Sequence, residues 1–323
     1  MPAAITAPLT PATNKAGKEA TAEVFQLTDI PVAMDKLGWK VAARVMRQWF
    51  RGAPYELPKA VKQGDIAAST LSAEKLITDI PFDWLFTAST RVKPEIDQFV
   101  ADLSSTAEFN KSAGRLKGTL DELSNGLVIL MTRLKRLGLL DADARTLKSS
   151  YVDYSDKSAI QLEELSQFNI IRFGATTWEK ATDSLDDVYG ALGTFVVKIA
   201  ATKFRTISND HGFPAIEIEQ VGFYVRDTYD FLNVDGDQLL GYWSREGVIR
   251  PGPIDYLSEP GFIDKGDTRY FKVTNGHFNK YRELNKKGGD MMIYTAVKLY
   301  ETSFIIHLGP VDFEEFQSRA SGK

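Results

Sequence analysis

Two periodicities divide the chain. In "DKLGWKVAARVMRQWFRG", Leu37, Val41, Val45 and Trp49 recur every fourth residue, Asp35 stands where an N-cap belongs and Gly52 where a helix stops, so one helix is expected. "PFDWLFTAST" and "PEIDQFVADL" each open on a proline suited to a first helical turn, and "TLDELSNGLVILMTRLKRLG" joins a Thr119 cap, Glu122 three residues on and Gly138 past the end. Its apolar run Leu127 to Met131 is far shorter than the roughly 20 residues that span a bilayer, and reads as a buried helix face. Helical signals continue to about residue 190.

Near residue 193 the period changes to two. "GTFVVKIAATKFRTI" places Phe195, Val197, Ile199 and Ala201 on one face; "AIEIEQVGFYVRDTYDF" and "DMMIYTAVKLYETSFIIHLG" read as further antiparallel strands. In the second, apolar parity switches from even at Ile216 and Ile218 to odd from Val221, which predicts a bulge near Glu219 and Gln220. "VTNGHFNKYRELNKKGG" reads as a helix capped by Thr274 or Asn275, with Phe278, Tyr281 and Leu284 on one face. The expected class is α+β: a flexible tail over 1–22, a helical region over 23–190, and over 191–323 a mainly antiparallel, open barrel-like sheet that would hold any catalytic site.

Composition narrows the functions. The 323 residues, 43% hydrophobic, are enough for a sizeable core, and a net charge of −4 supplies no basic field for nucleic acid. There is no cysteine, hence no disulfide scaffold and no thiolate site. No signal-like or membrane-spanning run occurs, so synthesis in the cytoplasm without a signal peptide is expected.

The chemistry-bearing stretch is "YVRDTYDF". Val221, Phe223, Val225, Asp227, Tyr229 and Phe231 share one strand face, which sets the Asp227 carboxylate among apolar neighbours. Asp230 lies on the other face at the strand end, where the backbone can turn and let the two carboxylates converge. Such a pair suits Mg²⁺ or acid/base work on a phosphate ester; the alternative is a carboxylate satisfied by a tyrosine or a backbone donor. "NVDGDQ" lacks the full calcium-loop pattern and reads as a turn at Asp235 and Gly236. The histidines His211, His277 and His307 have no metal-ligand spacing, and no serine-hydrolase, P-loop or dinucleotide fingerprint occurs.

"TDIPVAMDKLGWKVAARVMRQWF", "LDDVYGALGTF", "YVRDTYDF", "LLGYW" and "FNKYRELNKKGGD" together resemble the uncharacterised bacterial family named domain of unknown function 6402. That resemblance implies an association with type VI secretion, with spike or adaptor proteins as partners and delivery to a target-cell periplasm. Asp227-Thr228-Tyr229-Asp230-Phe231 also resembles the Asp-x-Tyr-Asp core of the colicin M family, which cleaves lipid II with Mg²⁺ assistance. The second resemblance implies that Asp227 and Asp230 hold Mg²⁺ or serve as base, that Tyr229 orients the substrate, and that a cognate immunity protein exists. Where that family has a His-Arg pair this chain has Gly236 and Asp237, so stabilisation of the leaving pyrophosphate would fall to Arg226, Arg282 or His277. The rival expectation is a non-enzymatic secretion adaptor or toxin-binding accessory, in which the same residues form a satisfied polar network. An immunity-type inhibitor is a third.

Overall fold

A computed structural model describes residues 25–105, 126–173, 185–208, 214–232, 236–250 and 260–321. The Thr119 cap, Glu122, His211 and Asp235 lie outside them, as does the 1–22 tail. The architecture is α+β, and the chain divides into two compact units, each assembled from separated segments.

The first unit takes residues 1–62, 185–192 and 228–291. Its helices are α1 (Ile30–Lys36), α2 (Lys40–Arg51), α3 (Lys59–Gln63, whose last residue falls outside the unit), α8 (Asp187–Leu192) and α9 (Asn275–Asn285). Four strands, β8 (Leu239–Ser244), β9 (Gly247–Ile249), β10 (Phe262–Lys265) and β11 (Thr268–Thr274), form an antiparallel sheet in the order β10-β11-β8-β9. The single helix expected from Asp35 is two helices. Gly38 adopts φ +81°, donates to the Asp35 carbonyl at 3.0 Å, and lets Trp39 reach back to the Met34 carbonyl at 2.8 Å, a paired closure that ends α1. Asp35 therefore lies inside α1, and α2 is capped from a distance: Asp187 accepts from the amides of Ala42 at 2.8 Å and Val41 at 3.1 Å. Trp49 is fully buried and meets Phe50, Phe231, Phe278 and Tyr281 edge-on or tilted, while Phe231 and Phe278 stack at 3.7 Å between centroids. α9 matches its expected span, but Leu284 stays exposed and only Phe278 and Tyr281 of its apolar face are buried.

The second unit takes residues 63–184, 193–227 and 292–323 and is built on a strongly curled, half-barrel sheet. Its spine is β6 (Phe195–Ile207) and β7 (Ala215–Tyr229, whose last two residues fall in the other unit). Each is long enough to take two partners in succession. β4 (Ser150–Asp153) pairs with the Lys203–Thr206 end of β6 and β5 (Gln167–Phe173) with its Phe195–Ala200 end. β13 (Lys298–His307) pairs with β7 from Ala215 to Phe223, β12 (Met291–Thr295, whose first residue falls in the other unit) also pairs with β7, and β1 (Leu76–Ile80) adds to β12 in parallel. The bulge expected near Glu219 is present: Gln220 opposes Lys203 and Ile218 opposes Phe204, with Glu219 left over. Around the sheet lie α4 (Trp84–Ala88), α5 (Val92–Ser105), α6 (Gly126–Arg136), α7 (Ala159–Leu165) and α10 (Pro310–Ser321), with a short ribbon of β2 (Leu140–Asp141) and β3 (Thr146–Leu147).

Three expectations are corrected here. The segment 23–190 is not helical throughout, because β1, β4 and β5 fall inside it and join the same sheet as β6 and β7. The expected closing strand is two strands, β12 and β13, broken at Ala296 and Val297. Beyond it the chain ends its described part in a helix, which buries Phe313 and Phe316.

The Gly38 closure has no side chain within 4 Å of where a Cβ would sit, so Gly38→Ala isolates the conformational term. Left-handed backbone costs a residue with a Cβ about 1–2 kcal/mol. The variant is expected to lose that much in urea unfolding followed by circular dichroism.

Candidate functional site

The distal half of β7 is buried on both faces, with Val221, Phe223, Tyr224 and Val225 all at 0% exposure. The alternation in the sequence identifies one of these faces and conceals the other. In the antiparallel register Tyr224 opposes Lys198 and Arg226 opposes Val196, so the even positions of β6 and β7 build a second, polar face. Glu163, from α7, lies against it. Its carboxylate accepts from Lys198, from Arg226 Nε at 2.9 Å and from the Tyr294 hydroxyl, and the same Arg226 Nε also donates to the Tyr294 hydroxyl at 3.3 Å.

The electrostatics follow from that geometry. Burial pushes the Glu163 carboxyl up, but Lys198 and then Arg226 outweigh it and hold the group below its ordinary value. Burial weakens the Lys198 ammonium; Glu163 supports it, Arg226 and Arg133 oppose it, and the net direction is down. Arg226 is burial-weakened too, yet Glu163 carries it above its ordinary value. Several cations share one carboxylate.

The residues singled out in "DTYD" are placed as follows. Asp227 belongs to the curled-sheet unit and is half-buried, whereas Tyr229 and Asp230 belong to the first unit. Asp230 is ion-paired with Lys62 at 2.9 Å, each side chain 14% exposed, and accepts a weak bond from the Leu232 amide at 3.4 Å. Tyr229 is buried with its ring edge-on to Phe231 at 5.5 Å, and burial drives its phenol far above the ordinary range, so it stays protonated. Phe231, the last residue of the stretch, enters the Trp49 aromatic core.

The two residues expected to replace a His-Arg pair have other engagements. His277 occupies the third position of α9, where its Nδ1 accepts from the Thr274 amide at 3.1 Å and closes a capping box. Burial lowers its pKa, with Asp237 opposing. Arg282, 7% exposed, donates to the Gly288 carbonyl at 3.0 Å, to Glu56 at 2.9 Å and to Asp290, and lies over the Trp49 ring. Asp290 in turn accepts from Trp49 Nε1 and the Leu57 amide, each at 3.2 Å.

For the expected Mg²⁺, among the described residues no group of three or more His, Asp and Glu side chains is placed to hold a metal ion. The chain would offer it Asp227 and Asp230, and Asp230 already faces the Lys62 ammonium. The sequence reading missed Glu163, Lys198 and Tyr294. Lys198 was the available signal: a lone cation in the apolar run from Phe195 to Ala201 needs a partner if its face is buried.

The molecule is thus an α+β protein with a curled sheet and buried ion pairs in both units. It belongs to the family of unknown function DUF6402, whose model matches residues 25–308. No curated protein and no solved structure matches the chain.

The Arg282 pair gives a test with a sign. Burial holds the Asp290 carboxyl above its ordinary value, and Arg282, the largest opposing influence, limits that rise. Arg282→Met leaves that carboxylate without its cation and is expected to cost about 3–5 kcal/mol at neutral pH. A carboxyl whose folded pKa lies above its unfolded value makes stability fall as pH rises through that range. The variant's deficit in denaturant unfolding therefore shrinks as pH is lowered toward the carboxylate range, and an equal deficit at every pH would contradict the assignment.

Proposed function

We propose that this chain works by binding, as a non-enzymatic adaptor or toxin-binding accessory protein in type VI secretion. The observation that supports it is the state of Arg282. A group that neutralises a departing pyrophosphate must be able to turn toward it, and this guanidinium spends its nitrogens on Asp290, Glu56 and the Gly288 carbonyl. His277 is similarly spent on the α9 cap. The family resemblance supplies the secretion context, with spike or adaptor proteins as the partners.

A second reading keeps "DTYD" catalytic: an effector carried to the target-cell periplasm that hydrolyses lipid II or a related phosphodiester. Asp227 and Asp230 would hold Mg²⁺ or act as base, and a cognate immunity protein would protect the producer. It is favoured by the partial exposure of Asp227, on a strand whose preceding same-phase residues Val221, Phe223 and Val225 are fully buried.

One experiment separates them. A Gram-negative host expresses the chain with a periplasmic signal, beside Asp227→Ala/Asp230→Ala and the milder Asp227→Asn/Asp230→Asn, all checked for folding and abundance. The binding reading expects normal growth in every case, intact lipid II with and without Mg²⁺, and recovery of a type VI spike or adaptor protein with the tagged chain. Lysis by the unaltered chain alone, with lipid II cleaved, overturns it in favour of the hydrolase.

A further inference from the structure

The ionic centre of the curled-sheet unit is over-supplied with positive charge. Lys198 and Arg226 both bear on Glu163, and Arg133, half-buried on α6, lies within electrostatic reach of the same carboxylate and of Tyr224. A second acid, Glu164, also bears on Arg133, but it is exposed and takes the Ser69 hydroxyl at 3.0 Å. Burial and the like charge of Arg136 weaken the Arg133 guanidinium, as for a cation without its own counter-ion.

Two buried donors complete the picture. Tyr224 is 0% exposed, and its hydroxyl has no hydrogen-bond partner among the described residues. Arg133 Nε is in the same condition. Buried polar groups are almost always satisfied, so these two donors in one positively charged neighbourhood are available to an acceptor that enters it. Burial, followed by the Glu163 carboxylate, holds the Tyr224 phenol well above its ordinary value, which fixes it as a donor. The ring of Tyr224 stacks with that of Tyr294 at 6.5 Å. The side chains of Glu163, Lys198 and Arg226 keep 16%, 17% and 11% of their surface open to solvent.

We propose that the Arg133, Lys198, Tyr224 and Arg226 side chains form a binding site for a phosphoryl group, with Glu163 positioning Lys198 and Arg226. An oxyanion there accepts from the Tyr224 hydroxyl and Arg133 Nε and neutralises the excess cation. A multiply charged phosphoryl matches that excess better than a monoanionic carboxylate. The inference goes beyond the adaptor reading and does not depend on it, because the test measures binding alone.

The probes are inorganic phosphate, inorganic pyrophosphate, acetate, and phosphatidylcholine vesicles with and without phosphatidic acid, titrated calorimetrically into the full chain. Tyr224→Phe removes one oxygen that has no partner, so it should fold as the unaltered chain does and melt no lower. Arg133→Gln removes the guanidinium, and Lys93→Gln, at an exposed pair with Asp97, serves as control. Saturable binding of pyrophosphate or phosphate is expected, weakened roughly tenfold by Arg133→Gln and several-fold by Tyr224→Phe, the scale of one lost charge-assisted hydrogen bond, and unchanged by Lys93→Gln. Binding of the soluble anions without the acidic vesicles identifies a free phosphoryl ligand, and binding of the acidic vesicles as well identifies a lipid headgroup. No saturable binding up to about 10 mM, equal binding of acetate, or indifference to both site substitutions overturns the proposal.

Discussion

Asp290 is the point on which the first unit is organised. Its carboxylate is wholly buried and would be expensive to hold there alone; it is held because Trp49 Nε1, the Leu57 amide and the Arg282 guanidinium converge on it. Those three donors come from α2, from the segment after it and from α9, so one side chain ties two regions distant in sequence, 49–57 and 282–290, to each other. The backbone nearby follows. Lys286 turns left-handed at φ 52°, Gly288 follows at φ 105°, and Gly288 and Gly289 donate to the carbonyls of Gly52 and Trp49 at 2.9 and 3.1 Å.

Glu163 solves the same problem in the curled sheet with a different balance. Asp290 is matched by one guanidinium, with Glu56 sharing that cation from an exposed position, whereas Glu163 is shared by Lys198 and Arg226 within reach of Arg133. The first arrangement is closed and reads as architecture. The second leaves positive charge and donor capacity over, which is the property expected of a receptor for something anionic. Of the charges that end β7, Arg226 belongs to the Glu163 centre, and Asp230 is answered by Lys62.

Helices and strands with a single buried face were legible in the sequence. α2 from Val45 onward, α9, β6 and the bulge in β7 all follow from apolar spacing, because there the hydrophobic effect writes its period directly into the chain. What was hidden has specific physical causes. The α1 closure depends on Gly38 taking a conformation that a continuous apolar stripe conceals. The cap of α2 comes from Asp187, well over a hundred residues away, and no local rule finds it. β5 is buried at six of its seven positions and so shows no alternation. The charged end of β7 is plain in the sequence, but which charges meet is decided by tertiary pairing. Lys198 and Arg226 are drawn together by register across β6 and β7, and Glu163 arrives from a helix that carries no signal of its own beyond its Ser158 cap.

The bulge at Glu219 has a further meaning for how this chain tolerates change. It is the point at which β7 exchanges its inward and outward phases, so everything beyond it is keyed to a count of residues rather than to their identity. Loss or gain of one residue between Ile218 and Val221 would turn Phe223 and Val225 onto the ionic face and Tyr224 and Arg226 into the apolar one, with every side chain still present. Ordinary surface loops tolerate changes of both length and composition; along this strand the number of residues is itself a constraint on the fold.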